Sequence, residues 1–181
     1  MSTTNTSYRL TGSLTVSSTT ADAIDVNVNH VTIDLNGFAI SGPGGSPTGT
    51  GINGQTAGAL TVENGSITGF GAAGGSGVYT GNNGIVRNVQ ANANGIGIEA
   101  GTESAISGNT VNSNSADGIY CPGSGSGCLI SGNTIDNNHG YGIGASDGTT
   151  GFGGNVLNGN GDGLTLGGTS MGNNICNGKL C

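Results

Sequence analysis

Two groups of residues in the 181-residue chain combine types and spacings that could do chemistry. The first is Tyr79 and Tyr120 with the carboxylate of Glu99 between them and the amide of Asn53 further back. Two ring faces flanking an acid suit a chain of sugars, since apolar sugar faces stack on rings while hydroxyls pair with carboxylate and amide. Exposed tyrosines also occupy strand positions that merely tolerate them, so the same residues are compatible with a purely structural role. The second group is four cysteines in two close pairs, Cys121 with Cys128 and Cys176 with Cys181. Zinc ligation would call for two to four intervening residues and defined third and fourth ligands, which this spacing does not offer. Two local disulfides are the expectation. One would bracket a loop at Pro122–Gly127 and the other would tie down the C-terminus, both in an oxidising compartment.

Other candidates are weaker. His139 beside Asp136 and Tyr141 could act as an acid–base group, although a lone His in an Asn-rich turn is ordinarily solvated. Asn158–Leu166 is similar to a single calcium-binding nonapeptide, but such sites need tandem copies and the chain has one, so no cofactor is expected. Asp117-Gly118, Asp147-Gly148 and Asp162-Gly163 are the dipeptides that turns favour for backbone reasons alone. Thr110 and Thr134 stand at equivalent points of two repeats, but the threonines go no further, which argues against an ice-binding array.

The elements that must hold these groups show in the composition. Gly is extreme at 40 residues, aromatics are 4%, Trp is absent and charged residues are only 7%. A broad core of large rings is excluded, whereas a thin core repeated many times suits small and β-branched side chains. The formal charge is −7, with Arg9, Arg87 and Lys179 the sole cations. Nucleic acid and anionic membrane surfaces both demand a basic footprint, so neither is expected as a partner. No apolar run approaches the roughly 20 residues of a membrane span. Residues 1–7 lack a charged-then-apolar leader and read as a disordered or tag-like N-terminus, with residues 8–181 as one domain.

Two markers recur along that domain. A glycine followed by an aliphatic residue appears at Gly51-Ile52, Gly77-Val78, Gly95-Ile96, Gly118-Ile119, Gly142-Ile143 and Gly163-Leu164. Out of phase with it, an Asn recurs at Asn64, Asn88, Asn109, Asn133, Asn155 and Asn174, again with a period near 22 residues. Within the best-matched repeats, Ala105–Asn114 and Leu129–Asn138, apolar residues alternate with small polar ones, which is strand periodicity. The reading is an all-β solenoid, a single-stranded parallel β-helix of about seven coils with three short strands per coil. Strands then stack about 4.8 Å apart, giving a rod of roughly 30–35 Å. Ile52, Val78, Ile96, Ile119, Ile143 and Leu164 are expected to form one inward ladder. The six asparagines are expected to form a structural ladder at a bend, where an inward amide satisfies backbone groups of neighbouring coils. By alternation, Tyr79 and Tyr120 share one outer face about 9.6 Å apart, with Glu99 on the coil between them. Tyr8–Val16 is expected to cover the open N-terminal end.

Val31–Ile40, with Ile106-Ser-Gly-Asn-Thr-Val111 and Ile130-Ser-Gly-Asn-Thr-Ile135, resembles the right-handed parallel β-helix repeat proteins of the pectate-lyase-like superfamily, of the exported bacterial type. The resemblance covers about Tyr8 to Cys181. It implies a right-handed coil and, for many members, action on acidic polysaccharides along an outer groove. The catalytic patterns it implies are missing here. No two Asp are adjacent, neither His30 nor His139 lies in an Asp-Pro-His motif, and Arg87 has only Glu63 as a stacked partner. The expectation is therefore a secreted, non-catalytic module, extracellular, periplasmic or on the cell surface, that binds carbohydrate through Tyr79, Glu99, Tyr120 and Asn53. A structural, self-associating surface protein is the alternative, and a polysaccharide lyase, hydrolase or epimerase with an atypical site the second alternative.

Overall fold

The computed structural model describes residues 3–45, 47–71, 74–122, 127–146 and 148–181, and among them there are short strands and no helix. The strands wind into a parallel β-helix with three faces. Face one starts with Thr6–Arg9 pairing with Val31–Asp34, and face two with Leu14–Thr15 pairing with Ala39–Ser41. Two longer strands, Thr61–Thr68 and Ile85–Asn92, bend across faces one and two. Face three is a seven-stranded sheet of Ile24–Asp25, Ile52–Gly54, Ser76–Thr80, Ile96–Ala100, Ile119–Cys121, Tyr141–Ala145 and Gly163–Leu166. About six full turns of the coil thus separate its first strand from its last. The pairs between coils are parallel, and the exception is Lys179–Leu180, which folds back antiparallel on Ile175–Cys176. The N-terminal segment forms a rung in register from Thr6, two residues before the expected domain start.

The parallel register stacks like on like. Ile33, Val62, Val86, Ile106, Ile130 and Phe152 form a continuous core row on face one. On face three the inward row is Ile24, Ile52, Val78, Ile98, Ile119 and Ile143, followed by Thr165. Ile96 and Leu164 were expected in that row; Thr165 takes the Leu164 place in the register, with Leu164 still packed against the core, and Ile96 gives way to Ile98. Ile96 is paired with Ser76 two positions earlier and is half-buried, while Ile98 is fully buried. The glycine of that coil's inward Gly-aliphatic pair is accordingly Gly97 rather than Gly95. These glycines are inward too: a β-carbon on Gly77, Gly97, Gly118 or Gly142 would stand 2.7 Å from an asparagine Nδ2.

Two bends are built on asparagine. Between faces one and two, Asn109, Asn133 and Asn155 each donate Nδ2 to the next Oδ1, ending at Asn174, over 3.0, 3.0 and 3.1 Å. Their backbone N–H groups donate to the same oxygens, and Nδ2 also reaches a carbonyl one coil back, Val86 for Asn109 and Ile106 for Asn133. A fully buried amide here has both donor and acceptor satisfied, which a tight bend otherwise leaves unpaired. Asn64 and Asn88 do not join this stack. They are exposed, with φ of 62° and 54°, one residue before the stack position. Gly65 and Val89 hold that position, and Val89 N–H donates to Asn109 Oδ1. Asn64 and Asn88 do the work that Gly108, Gly132 and Gly154 do in later coils, where φ is 65°, 65° and 66°. Asn tolerates the left-handed region better than most side chains do, and it substitutes for glycine there.

A second stack, which the recurring markers did not reveal, lies before face three. Asn114 and Asn138 donate Nδ2 to Asn138 and Asn160 Oδ1 over 2.8 and 2.9 Å, and Asn94 N–H donates to Asn114 Oδ1. A fixed offset was the available signal: each of these asparagines follows the first stack position by five residues.

Candidate functional site

Register fixes the outer face of face three. Asn53 pairs with Tyr79, Tyr79 with Glu99, and Glu99 with Tyr120, so the four occupy one row on successive rungs. Asp25 precedes the row, and Gly144 and Leu166 continue it. Tyr79 and Tyr120 therefore stand two rungs apart, about 9.6 Å. The residue before Glu99 in this alternation is Ile98, and both it and Gly97 are buried.

A second row, with the buried Ser76 at one end, runs beside the first. Ile96 follows Ser76, and Gly163 follows Tyr141. Asp117 Oδ1 accepts the Tyr141 N–H at 2.7 Å. Three of the four tyrosines thus lie on face three. Gly144 leaves its outward position empty, and the Asp117 carboxylate and Tyr120 ring converge on it. A β-carbon on Gly144 would collide with Asp117 Oδ2 and stand 3.0 Å from Tyr120 Cδ2.

The polar groups of the row brace one another. Asn53 donates Nδ2 to Asp22 Oδ2 at 2.8 Å and accepts the Gln55 N–H at 3.2 Å. Ser76 Oγ donates to Glu99 Oε2 at 2.8 Å, and the Tyr79 hydroxyl also bonds the Glu99 carboxylate. Tyr120 Oη lies 3.5 Å from Ser146 Oγ. Burial raises the Glu99 carboxyl above its ordinary range, against the opposing bonds from Ser76 and Tyr79. Burial, with the nearby Glu99 charge, likewise raises the Tyr79 phenol. Asp117 is raised by burial, opposed by its bond from Tyr141 and reinforced by the charge of Asp162. Two partly desolvated carboxylates set among rings thus line a sheet face of half-buried side chains.

The other candidates lie elsewhere. His139 is exposed, and Asp136 Oδ1 accepts from the Asn158 N–H and Nδ2 at 3.1 and 3.2 Å, with no bond to the imidazole. Arg87 pairs with Glu63 at 2.6 Å, and Arg9 with Asp34 at 3.3 Å, both on face one. The Arg9 contact and the bonds from Asn36 N–H and Asn64 Nδ2 hold Asp34 occupied; the backbone bond is the largest cause of its lowered pKa. Thr110 and Thr134 are followed in their row by Val156 and Ile175. Among the described residues no group of three or more His, Cys, Asp or Glu could hold a metal ion. Asp147 and most of the Pro122–Gly127 loop, residues 123–126, lie outside the described residues.

Cys121 is bonded to Cys128 and Cys176 to Cys181, with Cα–Cα separations of 6.5 and 5.8 Å. The first bridge joins the end of a face-three strand to the start of the next face-one strand. The pairings point to a compartment outside the reducing cytoplasm. No helix is long and apolar enough to cross a membrane among the described residues.

Stacked parallel rungs, an asparagine-lined bend and the lack of any helix among the described residues define the class as a parallel β-solenoid. The chain matches the family described as right handed beta helix region over residues 3–180, and it belongs to that family. No curated protein and no solved structure matches it.

Proposed function

We propose that the protein is a secreted, non-catalytic β-helix module that binds a glycan along the outer side of face three. One observation carries the reading: Asn53, Tyr79, Glu99 and Tyr120 fall in a single row on four successive rungs. A linear polymer laid along such a row meets ring, carboxylate and ring in turn. Each ring face can contribute about 1 kcal/mol beyond simple burial, so affinity would come from several contacts acting together. Against catalysis, the two arginines are engaged in ion pairs on a different face, leaving no cationic base beside the carboxylates of this one. The disulfides accord with export. The test is a glycan array run beside assays for reducing and unsaturated sugar ends. Binding without product supports the reading, product formation replaces it with an enzyme, and neither outcome with any polysaccharide rejects it.

A further inference from the structure

Resting on that glycan reading, we propose that the polymer is cationic: a β-1,4-linked chain of glucosamine units with free amines, lying parallel to the solenoid axis. The first observation is spacing. Tyr79 and Tyr120 occupy one outer row at an interval of two rungs, about 9.6 Å. That interval matches the disaccharide repeat of an extended twofold β-1,4 chain, so the two rings meet equivalent faces of alternate sugars. A polymer with a threefold screw would present a different face to the second ring.

The second observation is where the charge lies. The chain has ten acids against three cations. Arg9 and Arg87 are taken up on face one by Asp34 and Glu63, and Lys179 sits in the terminal antiparallel strand. Face three carries no Lys or Arg, yet it holds Glu99 and Asp117 among its rings, with Asp25 at one end of the same row and Asp22 accepting from Asn53 beside it. Ammonium groups passing Glu99 and Asp117 would each meet a carboxylate beside a tyrosine ring. It would gain both the ion pair and a cation–π contact, neither of which a neutral glycan can make. An anionic polysaccharide would meet uncompensated repulsion on the same strip. Burial makes Glu99 and Asp117 reluctant to ionise unaided, and a cation brought alongside offsets that cost.

Titration calorimetry with three hexasaccharides, of glucosamine, of N-acetylglucosamine and of β-1,4-glucose, tests the inference. The glucosamine hexamer is expected to bind about tenfold more tightly than the glucose hexamer at low salt, with the advantage shrinking as salt rises. A Glu99→Gln, Asp117→Asn double variant, confirmed folded by its thermal transition, should lose that advantage and bind the glucosamine and glucose hexamers with equal affinity. If the glucose or N-acetyl hexamer binds as well as the amine form, the cationic inference is overturned while the glycan reading stands. If no oligosaccharide binds, the glycan reading falls and takes the inference with it.

Discussion

Gly118 packs its Cα against the Asn138 side chain so closely that a β-carbon there would stand 2.7 Å from Nδ2 and 2.6 Å from Ile135 Cγ2. The same separation from an asparagine Nδ2 recurs at Gly77, Gly97 and Gly142, facing Asn94, Asn114 and Asn160. The glycine marker of the sequence and the second asparagine stack are thus two sides of one packing contact. Gly118→Ala should therefore destabilise the fold by about 2 kcal/mol through overpacking. Gly132→Ala makes a control with the opposite fault: its β-carbon would have space, but its φ of 65° disfavours alanine. Urea denaturation of both would separate crowding from backbone strain. An unaffected Gly118→Ala would mean the stack can shift to admit a methyl group.

The bend between faces one and two predicts a contrast between two kinds of asparagine. Asn133→Ala would strip the acceptor from Asn109 N–H and Nδ2 and the donor from Ile106 O, all buried. A cost of about 3 kcal/mol is expected from those unsatisfied groups. Asn88→Gly should be within about 1 kcal/mol of the parent, since Asn88 is exposed and Gly108 fills the same role one coil later. Equal losses at both positions would contradict the assignment of Asn88 to the outer, left-handed row.

Glu99 makes the fold sensitive to pH in a definite direction. Its folded carboxyl is raised above the ordinary 4.5 by burial, so the folded state holds the proton more tightly than the unfolded chain does. Stability then falls as pH rises from 4.5 through the folded value, and the cost is complete above it. Glu99→Gln, which keeps an acceptor for Ser76, should raise the thermal midpoint at pH 7. The difference should close as pH drops below 4.5. A lower midpoint for the variant at neutral pH would show that the bonds from Ser76 and Tyr79 outweigh desolvation.

Thiol titration of the unfolded, unreduced protein should find no reactive thiols, in keeping with the two bridges. Breaking the Cys121–Cys128 bridge by a double Cys→Ala change should cost about 2 kcal/mol from the short loop it closes. Four reactive thiols would remove the basis for placing the chain outside the cytoplasm.

Tyr79→Ala and Tyr120→Ala should each weaken glycan binding several-fold while leaving the denaturation midpoint nearly unchanged, since both rings are half-buried on the outer face. Pull-down on insoluble polysaccharide with the single and double variants reads this directly. Full binding by the double variant would move the site off face three.

The sequence alone determined the periodicity. A repeat near 22 residues, alternating small strands and turn-forming Gly and Asn admit a stacked parallel coil, because only that arrangement places every repeat's Asn and Ile in equivalent surroundings. It also paired the cysteines, since each pair is close in the chain. What it could not decide was phase. Asn64 and Asn109 look alike as markers, yet the chain crosses the first bend one residue apart in the two coils, so one amide faces water and the other the core. Ile96 and Ile98 are likewise interchangeable on paper, and pairing with Val78 rather than Ser76 is what buries Ile98. Coil lengths differ, and insertions in the turns shift the marker against the register, so inward and outward positions follow from the hydrogen bonds between coils and not from spacing along one. The row of Asn53, Tyr79, Glu99 and Tyr120 was legible because those residues lie on strands. Asp117 and Tyr141 joined their face only through tertiary packing, with Asp117 held at the turn by the Tyr141 N–H and drawn over the gap at Gly144.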